Sequence, residues 1–283
     1  MTRILPVLLL LSIAPRPDGL MAQSGAPIPA NHTDAARPAN STTPDHSTFD
    51  RLLNEHVTQD GLVDYDAFAG SPAFEDYLST LDEIDVASLS RDDELALWIN
   101  AYNAYTIALV NKHDERESIR NINRLLGVIA AKGPWTQPIA RVGGAVYTLD
   151  EIEHDVIRSE FDEPRIHFAL VCAAIGCPPL RREAYTGNRL DDQLDDQTRR
   201  FLLHSPEKNR VDVSSRTVYL SKIFDWYGDD FLGGTVDRPA DRPAHLGDYL
   251  ARYFPPGPER ELLLGGSFEI AYTDYDWSLN AVP

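Results

Sequence analysis

Residues 97–105 read Leu-Trp-Ile-Asn-Ala-Tyr-Asn-Ala-Tyr, and they form the middle of the longest apolar helix that the sequence predicts. A Ser-x-x-Asp start that resembles a capping box, followed by a continuous apolar pattern, predicts this helix from Arg91 to about Asn111. Asn100 and Asn103 are three positions apart and therefore lie on one face of the helix. Because asparagine is costly to bury without hydrogen-bond partners, the pair predicts a polar network inside the domain. That network serves either the structure or a binding or catalytic site.

Shorter helices and hairpins surround this long helix in the predicted order of elements. They do not follow the regular alternation of strand and helix that builds a parallel sheet, so the pattern predicts an α+β fold. Helices are predicted over residues 49–57, 72–81, 149–159, 190–204, 221–227 and 246–254, and strands over residues 62–68, 139–142, 145–149, 211–214, 217–220 and 268–272.

Both cysteines of the chain and one histidine lie in residues 165–180, which read Arg-Ile-His-Phe-Ala-Leu-Val-Cys-Ala-Ala-Ile-Gly-Cys-Pro-Pro-Leu. The apolar run predicts a buried strand that carries His167 and ends at Gly176 and the two prolines. A histidine and two thiols in an apolar run indicate a chemical site, although His167 can also be a core histidine with satisfied hydrogen bonds.

The spacing of the two cysteines leaves several interpretations open. In an exported protein, Cys172 and Cys177 most simply form a disulfide that closes a small loop. His167 and Cys172 point to opposite faces of a strand, whereas the turn at Gly176 allows Cys177 to lie beside His167 and act as a nucleophile. A redox-active or inert pair is also open. Zinc is the weakest alternative because the chain has no Cys-x-x-Cys pair and no nearby pair of histidines. We therefore expect no metal and no cofactor.

The formal net charge of the 283-residue chain is −18, which makes nucleic acid an unfavourable partner because phosphate backbones are repelled. Arg3 and the apolar run of residues 4–14 predict a signal peptide over residues 1–22. Residues 23–45 are rich in Pro, Ala, Ser and Thr and predict a disordered spacer before a single α+β domain over residues 46–283. We therefore expect an exported protein, periplasmic or extracellular, that has no membrane anchor after signal cleavage.

Two motifs place a carboxylate between aromatic residues near the end of the chain. In the first, Phe-Asp-Trp-Tyr at residues 224–227, Asp225 is a candidate to orient His167 or to accept a hydrogen bond from an asparagine amide. The second is Tyr-Asp-Trp at residues 275–277. Both motifs can equally serve hydrogen bonding and core packing alone.

Four of these motifs together resemble the family called domain of unknown function 547. They are the Trp-Ile-Asn-Ala-Tyr-Asn motif at residues 98–103, the stretch 167–180, Ser-Lys-Ile-Phe-Asp-Trp-Tyr at residues 221–227 and Tyr-Asp-Trp-Ser-Leu-Asn at residues 275–280. The resemblance covers roughly residues 50–280 and implies an exported bacterial protein. Because the family is similar at the fold level to papain-like and transglutaminase-like proteins, it also implies a core helix packed on an antiparallel sheet. Papain-like enzymes carry their nucleophilic cysteine at the start of that helix, and the helix from Arg91 contains no cysteine.

Three functional hypotheses follow, and the sequence does not decide whether the protein is an enzyme. The first is a thiol-dependent hydrolase or acyltransferase that acts on amide or thioester bonds, with a site formed by His167, Cys177, Asn100, Asn103 and Asp225. The second is a non-catalytic module on a papain-like scaffold that binds a small molecule or a peptide. The third is a thiol–disulfide protein that uses its two cysteines.

Overall fold

The computed structural model describes residues 43–122, 133–232 and 245–283. The predicted signal peptide over residues 1–22 and residues 23–42 of the predicted spacer lie outside the described residues. The described part of the chain contains no helix long and apolar enough to cross a membrane. A single domain over residues 46–283 stays a prediction.

Helices outnumber strands in the described residues, and the predicted α+β class is confirmed. The α-helices are α1 (Ser47–His56), α2 (Tyr65–Phe68), α3 (Pro72–Glu83), α4 (Arg91–Lys112), α5 (Leu149–Glu151), α6 (Arg158–Glu160), α7 (Ile166–Ala169), α8 (Leu190–Leu203), α9 (Ile223–Trp226), α10 (Gly228–Leu232), α11 (Leu246–Ala251) and α12 (Pro258–Gly265). A π-helical segment, Ile152–Ile157, joins α5 to α6. Short 3₁₀ segments lie at Val86–Ser88, Ile119–Asn121, Pro134–Thr136 and Gly187–Arg189.

The strands form two small sheets. Strands β1 (Ala140–Val142) and β2 (Ala145–Tyr147) make an antiparallel hairpin, as predicted. Gly143 and Gly144 form its turn with φ angles of 60° and 78°, a left-handed conformation that favours glycine. In the other sheet, β3 (Arg210–Asp212) pairs antiparallel with β4 (Thr217–Leu220), and β4 pairs parallel with β5 (Glu269–Tyr272).

Helix α4 forms the centre of the larger hydrophobic core. The Ser90 side chain accepts a hydrogen bond from the backbone N–H of Asp93 and starts the helix as its sequence predicts. Residues on all faces of the helix are buried, which is the pattern of a core helix rather than a surface one. Its neighbours include α2, α3 and the hairpin strand β1.

A second, smaller core lies beside the first and includes Phe168, Phe201, Phe224 and Phe231. Helix α7 belongs to both cores, because Ile166 and Ala169 pack in the larger one while Phe168 packs in the smaller one. His167 is therefore held at the junction of the two cores.

The predicted strand through His167 is wrong, because residues Ile166–Ala169 form a short helix. The carbonyl of Ala169 and the N–H of Val171, which a strand would use for pairing, bond to a side chain and not to a neighbouring strand. The Asn103 amide donates to the carbonyl of Ala169 at 2.9 Å and accepts from the N–H of Val171 at 2.9 Å. One side chain thus takes the place of a strand neighbour.

Two further predictions fail at helix starts. The strand predicted over residues 62–68 is instead the short helix α2, because the Asp64 carboxylate accepts from the N–H of Ala67 and caps it. Helix α12, with Pro258 in its first turn, had no counterpart among the predicted elements.

The buried histidine just before α1 gives a testable pH dependence. Burial lowers the pKa of His46 to about 4 from 6.5, and its Nδ1 lies 2.9 Å from the Tyr77 hydroxyl. Between these pH values only the unfolded chain binds the proton, so the free energy of unfolding falls as pH is lowered, by up to about 1.4 kcal/mol per pH unit. Urea denaturation of the wild type and of His46→Gln from pH 4.5 to 7.5 checks this. A wild-type slope no steeper than that of the variant would contradict it.

Candidate functional site

A cavity of about 350 Å³ lies at the junction of the two cores, within the size range of small-molecule sites. Aromatic rings, two acidic side chains, two histidines and both cysteines line it together with three apolar residues: Tyr102, Trp135, Asp150, Glu153, His154, His167, Leu170, Cys172, Cys177, Pro178, Ile223, Trp226, Tyr227, Tyr275 and Trp277. The predicted site residues His167 and Cys177 are among them.

Three aromatic side chains form a continuous wall on one side of the cavity. The ring centroids of Tyr275 and Trp277 are 4.6 Å apart, and that of Trp226 lies 4.8 Å from Tyr275 and 5.9 Å from Trp277. Trp226 is 48% exposed, an unusual position for so large an apolar side chain. The wall therefore offers a large, partly exposed aromatic surface to a ligand.

Glu153 lies on the π-helical segment that follows the capping box of Thr148 and Glu151. Such segments often occur at functional sites, since the wider turn redirects the side chains. The Tyr227 hydroxyl donates to Glu153 Oε1 at 2.7 Å, and the charge of this carboxyl also acts on the buried Tyr102. Burial and then the Glu153 charge raise the pKa of both phenols well above its ordinary value, so both remain protonated donors.

His167 is held by a charged pair on the side of α10. Its Nε2 lies 2.7 Å from Asp230 Oδ2, and since an ionised carboxylate only accepts hydrogen bonds, Nε2 carries the proton. Arg158 donates to both oxygens of Asp230, at 2.7 and 2.9 Å. Burial alone would raise the pKa of Asp230, but the hydrogen bonds from His167 and Arg158 outweigh it and hold that pKa far below its ordinary value. The imidazole also stacks on Tyr227 with centroids 4.0 Å apart.

Cys172 and Cys177 form a disulfide, as the simplest interpretation of their spacing predicted. Cys177 Sγ accepts hydrogen bonds from the Cys172 backbone N–H at 3.1 Å and from the Tyr275 hydroxyl at 3.2 Å. The same hydroxyl lies 3.2 Å from Cys172 Sγ. In this oxidised state Cys177 has no free thiol, so it cannot act as the nucleophile of a hydrolase.

The predicted asparagine pair is placed behind the cavity rather than on its wall. Asn100 bonds through both amide atoms to the backbone of Tyr185, at 2.8 and 2.9 Å, and Asn103 clamps Ala169 and Val171 in the same way. Both side chains are nearly inaccessible. The geometry favours the structural alternative, in which the two amides tie the central helix to loops.

Asp225 was predicted as a partner of His167, and the structure corrects this to Asp230. Asp225 forms an ion pair with Lys222 at 3.1 Å and does not line the cavity. Asp230 adjoins Phe231 much as Asp225 adjoins Phe224, so the local sequence does not distinguish the two acids. Glu153 was also missed, because the sequence shows only an acidic helix after a capping box at that point.

Among the described residues, no group of three or more His, Cys, Asp or Glu side chains lies close enough to hold a metal ion. Comparison with known proteins gives one match. Residues 86–202 match the family described as "Protein of unknown function, DUF547", and this range includes both the asparagine pair and the disulfide. No curated protein and no solved structure matches the chain.

Proposed function

We propose a function from the cavity itself, since the family that residues 86–202 match is one of unknown function. We infer that the domain is an exported binding module for an organic cation, a ligand with an alkylammonium or guanidinium group. The observation that carries this proposal is the Glu153 carboxylate beside a wall of three aromatic rings.

Aromatic faces carry negative charge in their π systems and attract cations within about 6 Å of a ring centroid. Trp226, Tyr275 and Trp277 line one cavity. The Arg120 guanidinium already lies 5.0 Å from the centroid of the Trp277 ring, which shows that this ring attracts a cation. A carboxylate next to the three rings adds a full negative charge in partly desolvated surroundings, where an ion pair is stronger than in water. An organic cation satisfies both features because its alkyl groups contact the rings while its charge faces Glu153.

The described residues that line the cavity include two acidic side chains and no Lys or Arg, which favours a cationic ligand. The hydrogen bond that Glu153 accepts from Tyr227 comes from a neutral phenol, so it orients the carboxylate without cancelling its charge. The Arg158 guanidinium donates to both oxygens of Asp230 and lies 5.0 Å from the centroid of the Tyr227 ring. Its charge also interacts with Glu153 and offsets part of the negative charge there. Asp150 is a second acidic side chain in the lining of the cavity.

The disulfide supports the predicted export of the protein, because disulfides form and persist in oxidising compartments outside the cytosol. The signal peptide remains a prediction from the sequence.

The thiol-dependent hydrolase or acyltransferase suggested by the sequence is the second candidate. In its favour, His167 lies on the cavity wall together with Cys177 and is oriented by Asp230, which is the arrangement of a base for a nucleophile. This function requires the disulfide to be reduced first. Binding of an organic cation requires no change in the structure, and it is therefore the function that the geometry supports best.

Tryptophan fluorescence tests the proposal, since Trp135, Trp226 and Trp277 line the cavity while Trp98 packs against Tyr147. We expect a saturable change on titration with choline or an alkylguanidinium, with a Kd between about 10 μM and 1 mM. Blocked tripeptides containing Lys or Arg distinguish a peptide side chain from a free small molecule as the source of the cation.

Two matched variants connect the signal to the cavity. Trp98→Phe should keep the fluorescence change, and Trp277→Phe should lose most of it. The proposal is wrong if none of these cations gives a saturable signal, or if removing Trp98 abolishes the signal while removing Trp277 does not.

A further inference from the structure

The Cys172–Cys177 disulfide lies in the wall of the cavity, and its surroundings are those of a reactive bond. We propose that it is redox-active and exchanges electrons with a small dithiol that enters the cavity, rather than serving to hold the fold together. This goes beyond the proposed binding of a cation and does not depend on it.

The loop between the two cysteines keeps its shape through hydrogen bonds that do not involve sulfur. The backbone N–H groups of Ile175 and Gly176 donate to the carbonyls of Ser278 and Asp276, both at 2.8 Å. The N–H of Cys177 donates within the loop at 3.0 Å. A disulfide that closes so short a loop also removes little entropy from the unfolded chain. Its contribution to stability is therefore small.

The hydrogen bonds to Cys177 Sγ favour that sulfur as a thiolate. The Cys172 N–H and the Tyr275 O–H both donate to it, and such donors stabilise a charged sulfur. Burial raises the pKa of Tyr275, so its hydroxyl stays protonated. Gly176 makes this contact possible, because a Cβ there would lie 2.8 Å from the Tyr275 ring.

The two cysteine residues differ in exposure, which sets the direction of the exchange. Cys172 is partly exposed and Cys177 is 2% exposed. A thiolate of the dithiol attacks Cys172 Sγ, the S–S bond breaks, and the electron pair leaves on Cys177 Sγ, where the two donors stabilise it.

The second thiol of the bound dithiol completes the reaction. After losing its proton to solvent, it attacks the other sulfur of the same dithiol, which is bonded to Cys172 Sγ in the mixed disulfide. Cys172 then leaves as a thiolate that takes up a proton. Two electrons have passed from the dithiol, which becomes a cyclic disulfide, to the protein, which holds two reduced cysteines.

Reduction of the native protein by about 1 mM dithiothreitol at neutral pH tests the proposal, with alkylation and intact mass as readout. We expect reduction within minutes and a fall in Tm of no more than about 5 °C on reduction. Tyr275→Phe should slow reduction about three- to tenfold, because the leaving thiolate loses a donor. Tyr219→Phe, on β4, should leave the rate unchanged.

A second variant tests the direction of attack. Cys177→Ser should capture a small thiol as a mixed disulfide on Cys172 when it is treated with the corresponding small disulfide. The proposal is overturned if the disulfide resists reduction until denaturant is added, if reduction unfolds the domain, or if Tyr275→Phe and Tyr219→Phe reduce at the same rate. No cationic ligand is present in these experiments, so their outcome is independent of the proposed binding function.

Discussion

Replacing Glu153 with Gln is expected to weaken the binding of an organic cation about 10- to 100-fold, which corresponds to about 1.4–2.7 kcal/mol. Glutamine has the same shape, and its carbonyl oxygen still accepts the hydrogen bond that Tyr227 donates to Glu153 at 2.7 Å. Only the charge beside the aromatic wall is lost, so the free energy of unfolding should change little. Calorimetric titration with choline measures the affinity, and urea denaturation measures the stability.

Asp155→Asn is the matched control for this effect. Asp155 lies on the same π-helical segment but is exposed and does not line the cavity. Its removal changes the net charge by the same amount and should alter the affinity less than about twofold, because charges at the surface are screened by salt. Equal losses in the two variants would mean that the overall negative charge, and not Glu153 in the cavity, attracts the cation.

Replacing Asn103 with Ala is expected to lower the free energy of unfolding by about 2–4 kcal/mol, the largest stability effect that we predict. The substitution leaves the carbonyl of Ala169 and the N–H of Val171 buried without their partner. It also loosens the segment that follows α7, the helix that carries His167. Urea denaturation of the variant and the wild type gives the difference.

Asn111→Ala on the same helix is the control for this variant. Asn111 is partly buried and donates one hydrogen bond, to the carbonyl of Tyr65 at 2.9 Å. We expect its loss to lower the free energy of unfolding by about 1 kcal/mol. The clamp interpretation of Asn103 fails if the two variants are equally stable.

Local sequence patterns predicted the elements whose hydrogen bonds are also local. The capping side chain of Ser90 starts the central helix, and two glycines with positive φ form the turn of the first hairpin. The disulfide was the simplest expectation because its cysteines are close in sequence. In each case the residues that determine the structure lie within a few positions of one another.

Predictions around the cavity failed mostly where a distant side chain decides the structure, whereas the strand predicted over residues 62–68 failed because the local cap at Asp64 was missed. The apolar run around His167 indicated a strand, but Asn103, from a different helix, takes the backbone hydrogen bonds that a strand neighbour would have supplied. Asp230 rather than Asp225 reaches His167 because packing of α10 against α7 selects between two acids in similar local sequence. Glu153 reaches the cavity from a π-helical segment, which no periodicity in the sequence reveals.

The central claim is that the cavity binds an organic cation through its charge, and calorimetric comparison of choline with 3,3-dimethylbutan-1-ol tests it most directly. The two probes have nearly the same shape and differ in the positive charge of the quaternary nitrogen. We predict that choline binds the wild-type protein at least about tenfold more tightly than the neutral alcohol, and that Glu153→Gln removes most of this difference. Equal affinities for the two probes in the wild-type protein would contradict the account.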